Sequence, residues 1–145
     1  MLLNRGIGLL IARLLLGLIF FFQGYGKVFT WGVDEVYNSF FVSYNEKLPE
    51  FLTVFAAYFT SYVELIGGAL LIIGFKRDWT LYALGLVLLI VSFGHGVMEP
   101  IWNLEHVMYR AILLIAILLL PKDWDIFSLA HLLLKKKSAK KYLSL

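Results

Sequence analysis

The sequence contains no cysteine. That excludes a dithiol or disulfide relay, a thiolate metal site, an iron–sulfur cluster and a cysteine nucleophile. Charge is scarce as well. Charged residues make up 16% of the chain, against roughly a quarter in soluble domains. There is no glycine-rich phosphate loop, no metal-binding helix motif and no serine–histidine–aspartate order. No polar stretch is long enough to form a catalytic domain of its own, and the pattern offers nothing for nucleic acid. Catalytic residues are therefore not identifiable from the sequence, and any chemistry must use an apolar interior or a partner protein. The only three prolines, Pro49, Pro100 and Pro121, fall between apolar runs and not inside them.

What is present is apolar surface. Hydrophobic residues make up 61% of 145 residues, more than one small soluble domain can hide. A membrane helix needs about 20 mostly apolar residues. Four stretches qualify, at about 6–29, 51–75, 79–98 and 102–120. The predicted architecture is an all-α membrane protein, a single transmembrane domain built as a four-helix bundle over residues 1–145. Arg5 followed by an apolar run imitates a signal peptide. Arg13 interrupts that run and no small-x-small cleavage site follows Phe22, so a retained helix is expected.

The connections carry their own signals. Val33, Val36, Tyr37, Phe40, Phe41 and Tyr44 recur at helical spacing, which predicts an amphipathic interfacial helix over 33–44 in the first outer loop. A second short interfacial helix is expected over 125–134, with Asp125 as its N-cap and a basic tail over 135–141. Trp31, Trp79, Trp102 and Trp124 sit at predicted span ends, as an aromatic belt would. Arg5, Lys76, Arg77, Lys122 and the lysines of 135–141 share one side, against only Lys27 and Lys47 on the other. By the positive-inside rule both termini are cytoplasmic. The expected location is a bacterial inner membrane, with the lipid bilayer as the main partner.

Ionisable groups within spans are the informative residues, since each costs roughly 2.5–3.5 kcal/mol to insert. Arg13, Gly17, Phe20, Gly24 and Lys27 form one stripe of the first span. Ser61, Glu64, Gly67/Gly68 and Leu71 form a comparable stripe of the second. Gly17, Gly24, Gly67 and Gly68 are expected to permit close helix packing, and an Arg13–Glu64 pair is expected between the antiparallel helices. That pair reads equally well as a register lock or as a functional group. Gln23, Lys27, His95, His106 and Arg110 fall in the outer half. Together with Arg13 and Glu64 they are the candidate ligand-binding or proton-relay residues around a polar outer cavity. Each has a plainer reading. His95 and His106 are better read as interfacial hydrogen-bonding histidines than as haem ligands. Lys27 and Arg110 can snorkel to the interface. Tyr58 and Tyr62 fit packed core better than a planar-ligand pocket. No metal site is expected.

The run Arg13-Leu14-Leu15-Leu16-Gly17 leading to Gln23-Gly24-Tyr25-Gly26-Lys27-Val28 resembles the DoxX family. So does Glu64-Leu65-Ile66-Gly67-Gly68 through Gly74. Asp125-Ile126-Phe127-Ser128-Leu129 is similar to that family's closing element. The resemblance implies a four-helix fold and a link to redox biology, since the family is named for a subunit of a thiosulfate:quinone oxidoreductase. It implies a quinone as cofactor and a redox or membrane-complex partner. A non-catalytic scaffold and a homo-oligomer stay open beside it. The sequence predicts that the protein stays in the membrane fraction after an alkaline carbonate wash and is released only by detergent. Recovery in the soluble fraction would remove the basis of this reading.

Overall fold

In the computed structural model, residues 1–99, 101, 103 and 105–142 are described, with side chains as far as 137. Among them the ordered elements are all helical. Helix α1 spans Leu2–Tyr25 and continues through π-helical turns at Gly26–Trp31. The outer connection holds a short helix α2, Val33–Val36, followed by π turns at Tyr37–Phe41 and 3₁₀ turns at Val42–Glu46. Then come α3 (Glu50–Ile73), α4 (Arg77–Met98), α5 (Glu105–Leu119) and α6 (Leu129–Tyr142).

Among the described residues, three helices are long and apolar enough to cross a membrane: Leu2–Trp31, Glu50–Ile73 and Arg77–Met98. The fourth expected span is the 15-residue α5, about 22 Å long at 1.5 Å per residue. That is shorter than the roughly 30 Å hydrocarbon layer. Trp102, placed at the start of that span, lies outside the described residues, as do Pro100 and the side chains of Lys140 and Lys141.

The fold is organised by close approach of α1 and α3, the most extensive helix pair. A Cβ added to Gly24 would overlap the backbone of Leu65, and one added to Gly68 would overlap the backbone of Phe21. Gly17 lies against Ile72 and the Gly68 carbonyl. Small residues at these points let the two backbones touch, which is how helices associate where there is no hydrophobic drive. Gly67 faces the other way, against the Leu84 side chain of α4. The buried core gathers Leu9, Leu16 and Phe20 from α1, Leu71 from α3, Leu81, Leu84 and Leu88 from α4, and Val107, Leu114 and Ile117 from α5.

Helix α3 ends where Gly74 takes the left-handed conformation, with φ 71°. The amides of Gly74 and Phe75 then donate back to Leu71 O and Leu70 O, a Schellman-type stop that a Cβ would strain. Crowding adds a second reason for glycine. An added Cβ would also lie 2.6 Å from the Ser128 Cβ.

The C-terminal segment departs from expectation. Its helix begins at Leu129 and runs on through the lysines to Tyr142. It does not keep to the expected bounds of 125–134, and the basic tail continues the helix. Ser128, not Asp125, caps it: the His131 amide donates to Ser128 Oγ at 3.2 Å. Asp125 turns inward instead, and is buried.

Substitution should separate glycines that make contact from glycines that do not. Gly24→Ala and Gly68→Ala are each expected to lower stability by about 1–3 kcal/mol through overpacking. Gly8→Ala, which meets open space, should be neutral or slightly stabilising. Thermal unfolding in detergent checks the order, and equal effects at all three positions would refute the backbone-contact account.

Candidate functional site

The register of α1 against α3 decides which charges meet. Gly17 faces Gly68 and Ile72, and Gly24 faces Glu64 and Leu65. Extending that antiparallel register places Arg13 level with the C-terminal end of α3, not with Glu64. Arg13 Nη1 donates to Leu71 O at 2.6 Å and Ile72 O at 2.7 Å, and Nη2 donates to Phe127 O at 3.3 Å. A guanidinium on the last carbonyls of a helix meets both their unmet acceptors and the negative end of the dipole. Its carboxylate neighbour is Asp125, at 3.4 Å from Nε. The expected Arg13–Glu64 pair is thus replaced. Glu64 lies seven residues up α3 from Leu71, about 10 Å along the axis.

Glu64 pairs instead with Lys27, Nζ to Oε2 at 2.7 Å. Glu64 is 2% exposed, so its charge depends on that ammonium. Arg110 adds a second attraction to Glu64 from α5, and its guanidinium lies over the Phe20 ring at 5.9 Å. The interior therefore holds two charged levels. The outer one is Lys27–Glu64–Arg110. The other, at the C-terminal end of α3, is Arg13–Asp125 with Arg77, whose Nη2 donates to Leu120 O at 3.0 Å. Burial pushes the Asp125 carboxyl above its ordinary range, while the charges of Arg13, Arg77 and His131 pull it back down.

Above the outer level lies a cavity of about 820 Å³. α1 contributes Phe22, Gln23, Gly26 and Lys27. α3 contributes Leu52, Thr53, Phe55 and Ala56, and α4 contributes Leu89, Phe93 and His95. The roof is the outer connection, through Val36, Phe40, Phe41 and Tyr44. Part of the apolar stripe read as an interfacial face thus lines a cavity, while Phe40 also stays largely exposed. The connection is tied down on three sides. Tyr58 donates to Asp34 Oδ1, Asn45 accepts from Thr53, and Lys47 Nζ reaches Val97 O and Met98 O at 2.9 and 3.1 Å. Trp31 and Phe40 stack with ring centres 5.5 Å apart.

The cavity is mostly apolar, with a few polar groups in its wall. Gln23 lines it, with a buried Oε1 that has no hydrogen-bond partner among the described residues. Lys27 joins the cavity to Glu64. His95 sits edge-on to Tyr44, with centroids 6.4 Å apart. Burial raises the Tyr44 hydroxyl above its usual range, and Glu99 adds to this.

Several sequence expectations do not converge here. Glu64 and Arg110 lie outside the cavity wall, and so does His106, which is exposed on α5. The two histidines therefore do not share this cavity, and the space is less polar than the spacing implied. Tyr58 and Tyr62 are exposed and stacked on each other, 6.5 Å apart, and belong neither to the core nor to the cavity. Sequence reading missed Asp125 as the partner of Arg13, and Lys27 as the partner of Glu64. The signal for the first was a carboxylate just ahead of the closing Ser–Leu pair. The signal for the second was Lys27 standing on the Arg13 stripe.

Three membrane-competent helices with charges turned inward define an integral membrane protein. The DoxX family model matches residues 8–96, more than half of the chain, and the protein belongs to the DoxX family. The match takes in α1 to α4. Asp125 and the helices α5 and α6 lie beyond it. No functionally described protein and no solved structure matches the chain.

The outer pair should behave asymmetrically. Lys27→Met strands a buried carboxylate, whereas Glu64→Gln leaves a lysine that can snorkel outward. Lys27→Met is expected to lose about 3 kcal/mol, more than Glu64→Gln, and Lys27→Met/Glu64→Gln should recover most of the loss. Thermal unfolding of the three variants checks this. Additive losses would refute the pairing.

Proposed function

We propose that this DoxX protein is a membrane subunit of a quinone-linked redox system, and that it holds a lipophilic ligand in the outer cavity. The observation that carries the reading is the combination of an apolar space of about 820 Å³ with Gln23 and Lys27 in its wall. Ligand sites are typically concave, apolar and fitted with a few convergent polar groups. The wall includes Phe22, Phe55, Leu89 and Phe93, exposed residues of the three membrane-competent helices. A ligand can therefore enter from the bilayer without crossing water, which suits a prenylated ring better than a soluble metabolite.

The residues present fit such a group. A carbonyl oxygen on the ring can accept from the Lys27 ammonium or from the Gln23 amide, and the aromatic roof can lie against the ring face. A bound quinone would supply the electron-accepting chemistry. Lys27 would orient it and, through its bond to Glu64, link the cavity to a carboxylate able to hold a proton. The protein has no cysteine, so thiol chemistry would fall to a partner.

The finer topology belongs to the same proposal. The 15-residue α5 completes a four-helix bundle by local thinning of the bilayer. Both termini face the cytoplasm of a bacterial inner membrane, as the cation sorting directs. The second reading is a scaffold subunit. It draws on the exposed Phe40 and Val42 of the outer connection, which could dock a partner.

Filling the cavity tests the ligand. Gly26 lines it and faces open space, and Ala56 lines it from α3. Protein purified from native membrane should carry quinone detectable by extraction and mass spectrometry. Gly26→Leu and Ala56→Phe should each cut that amount roughly tenfold while leaving the melting temperature within a few degrees. Unchanged quinone in both variants, or a stoichiometric partner protein with no quinone, would favour the scaffold.

A further inference from the structure

At the opposite end of the molecule a second groove, about 470 Å³, lies between the start of α4 and the chain around α6. It is lined by Lys76, Arg77 and Lys122 on one hand and by Trp79, Tyr82 and Leu134 on the other, with His131 beside them. Arg77 is 7% exposed. Its Nε donates to Asp78 and its Nη2 to Leu120 O, but Nη1 has no hydrogen-bond partner among the described residues. A buried guanidinium donor without a protein partner calls for an acceptor from outside the chain, a water, an ion or a ligand. The groove also sits at the N-terminus of a 22-residue helix, whose first amides and dipole favour an anion.

Three carboxylates share the groove, and their partners decide its sign. Asp78 is held by Arg77 Nε at 3.1 Å and by Lys122 Nζ at 2.6 Å. Asp125 faces Arg13 at 3.4 Å. Asp123 is the remaining carboxylate. Against them stand Arg13, Arg77, Lys122 and Lys76, and Lys135, Lys136 and Lys137 follow along α6. The balance at this end is positive.

We propose that this groove binds a phosphoryl group, carried by a phospholipid headgroup of the leaflet facing α6. The spare Nη1 donor of Arg77 and the ammonium groups of Lys76 and Lys122 would take the phosphoryl oxygens. Trp79, Tyr82 and Leu134, in the same wall, would take the start of the acyl chains. Guanidinium and ammonium groups recognise phosphate by charge-assisted hydrogen bonds, and the apolar half of the wall has no use for free phosphate. That asymmetry is the reason for choosing a lipid over a soluble anion.

The test is native mass spectrometry of the full chain, released from nanodiscs containing phosphatidylglycerol and phosphatidylcholine, with inorganic phosphate as a competitor. Lys76 and Lys122 are both exposed, so Lys76→Asn/Lys122→Gln should fold, and asparagine tolerates the positive φ of 46° at position 76. Retained phosphatidylglycerol is expected to fall roughly tenfold or more in that variant. It should hold in Lys135→Gln/Lys136→Gln/Lys137→Gln, and should survive excess inorganic phosphate. Displacement by inorganic phosphate would assign the groove to the free anion as source. Loss only in the triple variant would mean a diffuse basic tail and would overturn the proposal, as would equal retention in all variants. The quinone measurement on the outer cavity is independent of either result.

Discussion

Two helices that touch backbone to backbone cannot slide. In this protein the contacts of Gly24 with Leu65 and of Gly68 with Phe21 fix α1 against α3, and much of the rest follows from that register. In lipid no hydrophobic force presses helices together, so the fit of small residues has to hold them. Once the register is set, the charges on the two stripes have no freedom to choose partners. Arg13 reaches the end of α3, and Glu64 comes within reach of Lys27. A shift of about two helical turns would be needed to bring Arg13 level with Glu64.

The two charged levels do different work. At the C-terminal end of α3, Arg13 joins three parts of the chain: its own helix, the last carbonyls of α3 and the turn around Phe127. The Ala130 amide donates to Gly74 O at 3.2 Å and closes the same junction from the other side. This is a structural lock, and it explains why a guanidinium can be 1% exposed in an apolar chain. At the outer end Lys27 serves two purposes, as counter-ion to Glu64 and as part of the cavity wall. A group shared between an ion pair and a cavity gives any occupant a way to influence a buried carboxylate.

Much of the organisation was legible in the residues. The apolar runs and the small-residue stripes are local patterns, and helical geometry converts them directly into spans and packing faces. The partners of the charges were not legible. A stripe shows which face a residue occupies but not its depth relative to a neighbour, and a pairing error of about 10 Å is enough to exchange Lys27 for Arg13. The outer connection shows the same limit. Its apolar stripe was plain from Val33 to Tyr44, yet the pattern is the same whether that stripe meets lipid or roofs a cavity.

The sequence alone therefore determined the solvent, the number of apolar runs, the sorting of cations and the family, because each depends on composition or short-range spacing. The tertiary structure decided that Arg13 meets Asp125, that Ser128 and not Asp125 caps α6, that Phe40 and Phe41 line a cavity, and that Arg77 keeps one donor unmet. These are relations between segments far apart in the chain. They depend on helix register and loop path, and no local pattern of residues encodes either.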